Sequence, residues 1–162
     1  MRAPFRGRTW YNTAHPMRIY LACTVRGERG GVLAGRTIST RLQAHGHEVL
    51  TTHLLADDVE DAESVLTEAQ VFRRDLDWLS RCDVLVAEAS GSTYGVGFEV
   101  GYVIGRAHQT GQRVVLVYDV ARRQAISRLI IGNCDEACTT FAYSSLEELA
   151  AFVDREFGTA TV

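Results

Sequence analysis

The chain contains no lysine: all 17 of its Lys and Arg positions are arginine. Schiff-base catalysis, which needs a lysine amine, is therefore excluded, and so is a P-loop, whose lysine reaches the phosphates. A dinucleotide fingerprint is also missing. Gly27, Gly30, Gly31 and Gly35 do not fall into the spacing G-x-G-x-x-G, nor does Gly95-Val-Gly-Phe-Glu-Val-Gly101, and NAD is disfavoured accordingly. No run of about 20 apolar residues and no secretory hydrophobic region occurs, so a membrane span is not expected. A net charge of -3 gives no broad basic field for a nucleic-acid polymer, although local arginines could still hold a small anion. Cys23, Cys82, Cys134 and Cys138 do not make a small-domain disulfide framework. Cys134-Asp-Glu-Ala-Cys138 lacks the partner cluster that a metal site requires and reads instead as a loop with two thiols. The expectation is a reduced, cytoplasmic protein with neither metal nor cofactor.

At 162 residues the chain fits one domain, able to bury roughly 70% of its unfolded surface. Residues 1–16 are polar, Arg-rich and unpatterned, and read as an N-terminal extension; residues 17–162 read as the single folded domain. From Arg18 the pattern alternates. Strands are expected at Ile19 to Val25, Glu48 to Thr52, Asp83 to Glu88, Arg113 to Tyr118 and Thr139 to Ala142. Helices are expected at Val32 to Ala44, Leu66 to Arg81, Val96 to His108, Gln124 to Ile131 and Leu146 to Phe157, with a polar stretch over Asp57 to Ser64. Gly46 and Gly111 stand where helix C-terminal caps stand. Ser144-Ser-Leu-Glu147 resembles a capping box that either serine could start. Strands alternating with helices imply an α/β, flavodoxin-like three-layer fold, with a five-stranded parallel sheet in the order 2-1-3-4-5. That order sets the exits of strands one and three side by side, where a ligand crevice opens.

The segment Glu88-Ala-Ser-Gly-Ser-Thr-Tyr-Gly-Val-Gly-Phe-Glu99 therefore carries most of the functional information. It reads as strand, loop, helix. Thr93 offers a hydroxyl, Gly95 and Gly97 let a ligand approach the backbone, and the helix start presents unpaired N–H groups suited to phosphate. Glu99 lies about one turn inside, where the helix field favours its ionised form; an ordinary first-turn glutamate is the bland alternative. The first strand exit holds Thr24, Arg26 and Gly27, a hydroxyl, a bidentate charged fork and a flexible backbone, against the alternative of a solvated loop arginine. Gly97, Gly101 and Gly105 form a bare stripe suited to close packing against the sheet or another helix. Glu99 and Val103 lie on a different face from that stripe, one turned away from the sheet. On the helix before strand three, Phe72, Leu76 and Leu79 are assigned to the buried face. Asp75 and Asp77 point apart, so one of them is a candidate for the site, or both are solvated beside Arg73 and Arg74. His53, at the end of strand two, is a candidate for base or sugar contact, or a surface residue. Tyr20 is core by type, its hydroxyl needing a partner. Spacing alone does not single out Ser127.

Taken together, Tyr20-Leu-Ala-Cys-Thr-Val-Arg-Gly27, Asp75-Leu-Asp-Trp-Leu79, Cys82-Asp-Val-Leu-Val-Ala-Glu88, Tyr94-Gly-Val-Gly-Phe-Glu-Val-Gly101 and Ile126-Ser-Arg-Leu-Ile-Ile-Gly132 resemble the 2'-deoxynucleoside 5'-monophosphate N-glycosidases (the Rcl family), within the nucleoside 2-deoxyribosyltransferase-like group. The likeness runs from Tyr20 to Phe157. It implies a metal-free homodimer that cleaves the base–sugar bond of nucleoside monophosphates. In that resemblance Glu99 matches the nucleophile, Asp75 the acid that protonates the leaving base, and Tyr20 the residue that orients the nucleophile. Thr24, Arg26, Thr93 and Gly95 fall in the phosphate cradle, His53 near the base, and Ser127 matches a serine reaching the partner subunit's phosphate. Cys23 stands where the family has glycine, Thr24 and Thr93 replace serines, and Tyr94 replaces an aliphatic residue, so base and sugar preference stay open. The alternatives are a deoxyribosyltransferase, a ribonucleotide hydrolase of CMP type, and a non-catalytic nucleotide-binding module.

Overall fold

A computed structural model describes residues 15–24, 31–91 and 93–158. Its five parallel strands are β1 (Arg18–Ala22), β2 (Glu48–Val49), β3 (Val84–Glu88), β4 (Arg113–Asp119) and β5 (Cys138–Tyr143), hydrogen-bonded in the order 2-1-3-4-5. Alternation along each strand builds two cores. Ile19 and Leu21 of β1 face one way, toward α1 (Val32–Ala44) and α7 (Leu146–Phe157). Tyr20 and Ala22 face the other way, toward α3 (Glu68–Arg81) and α4 (Tyr94–Ile104). The central strand β3 is buried along its whole length, as a strand covered on both faces must be. Among the described residues no helix is long and apolar enough to cross a membrane.

Several elements depart from the sequence expectation for local reasons. β2 keeps only two ladder residues, because Thr51 then takes over the pairing with its side chain, accepting from Leu21 N at 3.0 Å and donating to Leu21 O at 2.7 Å. The backbone is freed to turn into a 3-10 segment, Thr52–Leu55. The polar stretch holds a short helix, α2 (Val59–Ser64), anchored by Val59, which is wholly buried. The helix expected to reach His108 stops at Ile104, with Arg106 N bonding back three residues to Val103 O and α5 (Ala107–Thr110) following. Ahead of α6 (Arg128–Ile131), extended Ile126 and the Ser127 N-cap separate it from a 3-10 segment, Val120–Ala125. Gly46 at φ +83° and Gly111 at φ +74° have the left-handed backbone of a C-terminal cap. Ser145, the second of the two candidate serines, caps α7 by accepting from Glu148 N at 3.2 Å.

Glu88 ends β3 inside the core, fully buried. Its Oε1 accepts from the Tyr143 hydroxyl at 2.9 Å, from Ser90 N at 3.3 Å and from the Ser90 hydroxyl, while Ser90 Oγ accepts from Asp119 N at 2.8 Å. One carboxyl thus ties together the exits of β3, β4 and β5. Burial raises its pKa against the pull of those hydrogen bonds. Its other oxygen lies so near Gly31, at the start of α1, that a Cβ there would sit 2.0 Å away.

Candidate active site

The exits of β1 and β3 abut, as the strand order requires. A Cβ on Gly91 would lie 2.0 Å from Thr24 Oγ1, so only glycine lets the two loops come this close. Thr24 is 2% exposed and its hydroxyl has no hydrogen-bond partner among the described residues, an arrangement worth about 1–3 kcal/mol of lost solvation unless something accepts from it. Thr93 is the N-cap of α4, yet its side chain makes no capping bond. Its hydroxyl stays available beside the helix N-terminus. Thr93, Gly95, Asp75 and Glu99 all line one cleft of about 490 Å³, large enough for a nucleotide-sized ligand.

At its floor, Tyr20 donates from its hydroxyl to Glu99 Oε1 at 2.7 Å across 79 residues of chain. Tyr20 is fully buried on β1, and burial, together with the charges of Glu99 and Asp75, drives its pKa far above that of free tyrosine. The hydroxyl therefore stays a donor. Glu99 departs from the sequence reading: burial pushes its pKa up to about 7, the hydrogen bond from Tyr20 opposes the rise, and the charge of Asp75 adds to it. Desolvation outweighs the helix field that was expected to keep it ionised.

Asp75 is the acid of its pair that enters the cleft; Asp77 faces outward and binds Arg81 at 2.6 Å. Asp75 Oδ1 accepts from Arg74 Nε at 2.9 Å. The remaining edge of that guanidinium grips Glu63, with NH1 to Oε1 at 2.7 Å and NH2 to Oε2 at 3.2 Å, and its plane lies 4.9 Å from the Trp78 ring centroid. His53 belongs to the 3-10 segment after β2 rather than to the strand. It stands 3.3 Å from Glu63 and 5.3 Å from Trp78 between ring centroids, so it reaches the cleft through Glu63. Burial and then Arg74 lower its pKa.

Other expectations are corrected. Phe72, assigned to the buried face, is 55% exposed and lines the mouth of the cleft near Phe98, their ring centroids 6.4 Å apart. Val103 is fully buried in the sheet-side core with Val96 and Val100, not on an outward face with Glu99. Gly101 and Gly105 are exposed, a side chain at Gly101 would meet nothing, and one at Gly97 would reach only Ile130 of α6 at 4.0 Å, so among the described residues the glycine stripe packs against no sheet. Ser127 is an exposed N-cap and does not line the cleft of its own chain. Arg26 and Gly27 lie outside the described residues, as do residues 1–14 of the expected extension. Glu63, Arg74 and Gly91 were missed by sequence reading: Glu63 belongs to a helix not expected, and Arg74 carries no signal beyond standing next to Asp75.

Residues 19–145 match the nucleoside 2-deoxyribosyltransferase family. A Thermofilum pendens protein bearing the name 2'-deoxynucleoside 5'-phosphate N-hydrolase 1 is 37% identical over 138 residues, which cover 85% of this chain and 93% of that protein. A 5-hydroxymethyl-dUMP N-hydrolase of Danio rerio is 33% identical over 117 residues, covering 72% of this chain and 78% of the relative. Among solved structures, the Clostridium botulinum CMP N-glycosidase BcmB superposes with a TM-score of 0.60 at 18% identity, over 85% of this chain and 97% of that one. At that identity it attests the fold.

Proposed function

This chain belongs to the nucleoside 2-deoxyribosyltransferase family, and we propose that it hydrolyses the N-glycosidic bond of (deoxy)nucleoside 5'-monophosphates, releasing free base and (deoxy)ribose 5-phosphate. The observation that carries this reading is the Tyr20–Glu99 hydrogen bond, on the floor of a cleft that also holds Asp75 and the α4 N-terminus. The 5'-phosphate lies between Thr24, whose buried hydroxyl would gain an acceptor, and Thr93 and Gly95, and the family resemblance adds Arg26 to the same phosphate contacts. Phosphate contacts remote from the reacting carbon hold the sugar in place for attack.

Tyr20 occupies Oε1 of Glu99, leaving Oε2 to attack C1'. As the C1'–N bond breaks, its electron pair goes to the base and Asp75 supplies the proton, giving a glutamyl sugar ester. Water then attacks C1', Asp75 takes its proton, and Glu99 leaves as carboxylate. The sugar cation that develops in both steps is stabilised by the nearby anion.

The functional unit in this reading is a homodimer. Supporting it are Ser127, exposed and outside its own cleft, Gly101 of α4, where a side chain would meet nothing, and Tyr94, fully exposed, and Leu129, 84% exposed. Ser127 would then reach the phosphate in the other subunit's site. A reducing, cytoplasmic setting fits four cysteines that are all thiols.

The test is base release from a panel of ribo- and deoxyribonucleoside monophosphates and their unphosphorylated nucleosides. Release from monophosphates only, lost by at least about a thousandfold in Glu99→Ala, is the expected result. Near-normal turnover by Glu99→Ala refutes the nucleophile. Base exchange without net release makes the protein a transferase, and tight nucleotide binding without any release makes it a binding module.

A further inference from the structure

The proposed chemistry asks Asp75 to deliver a proton at one place and then to collect one at the same place, which requires a carboxyl that cannot swing. Its own helix does not provide this, since Asp75 is a flexible side chain on the cleft-facing surface of α3. Arg74 comes from the adjacent position, about 100° around the helix, so helical geometry alone does not bring the pair together either.

What brings them together is a clamp assembled from three elements. The guanidinium of Arg74 uses all three of its nitrogens: Nε on Asp75, NH1 and NH2 on the two oxygens of Glu63. Glu63 comes from α2 and is only 8% exposed, and the face of the guanidinium lies on Trp78, one turn further along α3. His53, from the 3-10 segment after β2, packs on the same Trp78 ring and stands 3.3 Å from Oε1 of Glu63, the oxygen that Arg74 NH1 bonds. Burial works against the charge on Arg74, but hydrogen bonds to Glu63 and Asp75 outweigh it and keep its pKa above the ordinary value, so the clamp stays charged. The planar fork is the essential chemistry, because a lysine has the same charge but cannot hold two carboxylates at fixed angles.

We infer that Arg74, locked by Glu63, is a positioning residue that fixes Asp75 Oδ1 and thereby aims the other carboxyl oxygen at the leaving base. This rests on the reading of the cleft as a nucleotide N-glycosidase site. It also assigns a role to α2: its carboxylate closes the clamp from outside the helix that bears the acid.

The test compares two leaving groups on one phosphosugar: the natural monophosphate cleaved fastest in the panel, and 4-nitrophenyl 2-deoxyribofuranoside 5-phosphate, whose phenolate departs without needing a proton. With the natural base, Arg74→Lys and Glu63→Gln are expected to lower kcat by about 10- to 100-fold, with KM changed less than about threefold. With the nitrophenyl substrate, kcat/KM reports only the step that expels the phenolate and not the later attack of water, and it should stay within about threefold of wild type in both variants. In an Asp75→Asn background, Arg74→Lys should have no further effect on the natural substrate, because the pair acts as one unit. An equal fall in kcat/KM with both leaving groups, a change confined to KM on the natural substrate, or additive losses in the double variant would each overturn the inference. So would wild-type rates in both single variants, with the wild type active and Glu99→Ala inactive, and in that case the glycosidase reading would stand. A wild type that cleaves neither substrate overturns both.

Discussion

At the scale of single residues, the decisive quantity is the charge on Glu99. In the proposed role of nucleophile Glu99 must be ionised, and burial pushes its pKa up to about 7. We expect kcat/KM to rise with pH through a midpoint near 7, since that parameter reports the free enzyme. Tyr20 holds the value down through its hydrogen bond. Tyr20→Phe should therefore move the acid limb to higher pH and slow the reaction by about tenfold or more. The pH–rate profiles of the two proteins, taken on one substrate so that its phosphate ionisation cancels, check both points. The same shift carries a stability consequence. The folded-state pKa lies above the unfolded value of 4.5, so the stability it contributes is complete below that value and is lost as pH rises through about 7. Glu99→Gln should melt with the wild type at pH 4 and be more stable at pH 8 by on the order of 2 kcal/mol. If the carboxyl were solvated, thermal unfolding would show the same difference between the two proteins at both pH values.

At the scale of elements, the site depends on two close approaches that the chain secures with glycine. Gly91 admits Thr24, and Gly31 admits the carboxyl of Glu88 at the start of α1. Gly31→Ala should destabilise the fold by about 1–3 kcal/mol, because a buried, triply bonded carboxyl has nowhere to move; an unchanged midpoint in urea unfolding would contradict this. α3 is held differently. Thr67 and Gln70 form a reciprocal capping box at its start, which sets the end of the helix that carries Asp75. Thr67→Ala should cost about 1 kcal/mol, and a loss much smaller than that in the same unfolding measurement would mean the box is solvated. Both effects belong to the scaffold. They should leave the midpoint of the pH–rate profile in place.

At the scale of the whole molecule, the exposed face of α4 and the exposed Ser127 make one prediction about assembly. If each site takes Ser127 from the other subunit, then Glu99→Ala and Ser127→Ala proteins, each impaired alone, should regain activity when unfolded together and refolded as a mixture. A heterodimer would contain one site with both residues intact. Recovery should approach half of the wild-type rate per mixed dimer, and no recovery would place Ser127 outside the partner's site.

How much of this was legible in the sequence follows from the range of each interaction. Strand order, the helix limits of α1 and α7, and the two left-handed glycine caps were all readable, because apolar periodicity and turn chemistry are local properties of a few neighbouring residues. So was the meeting of the Thr24 and Thr93 loops, because the order of a parallel sheet fixes which strand exits are neighbours. The sequence by itself therefore determined the topology and which two loops meet at the crevice beside β1 and β3. Only the tertiary structure decided that Asp75 and not Asp77 enters the cleft, that Glu63 closes on Arg74 from a helix the polar stretch concealed, that His53 reaches the cleft through Glu63, and that burial pushes the pKa of Glu99 up to about 7. These depend on desolvation and on side chains meeting across tens of residues, and neither leaves a periodic trace in the chain that produces it.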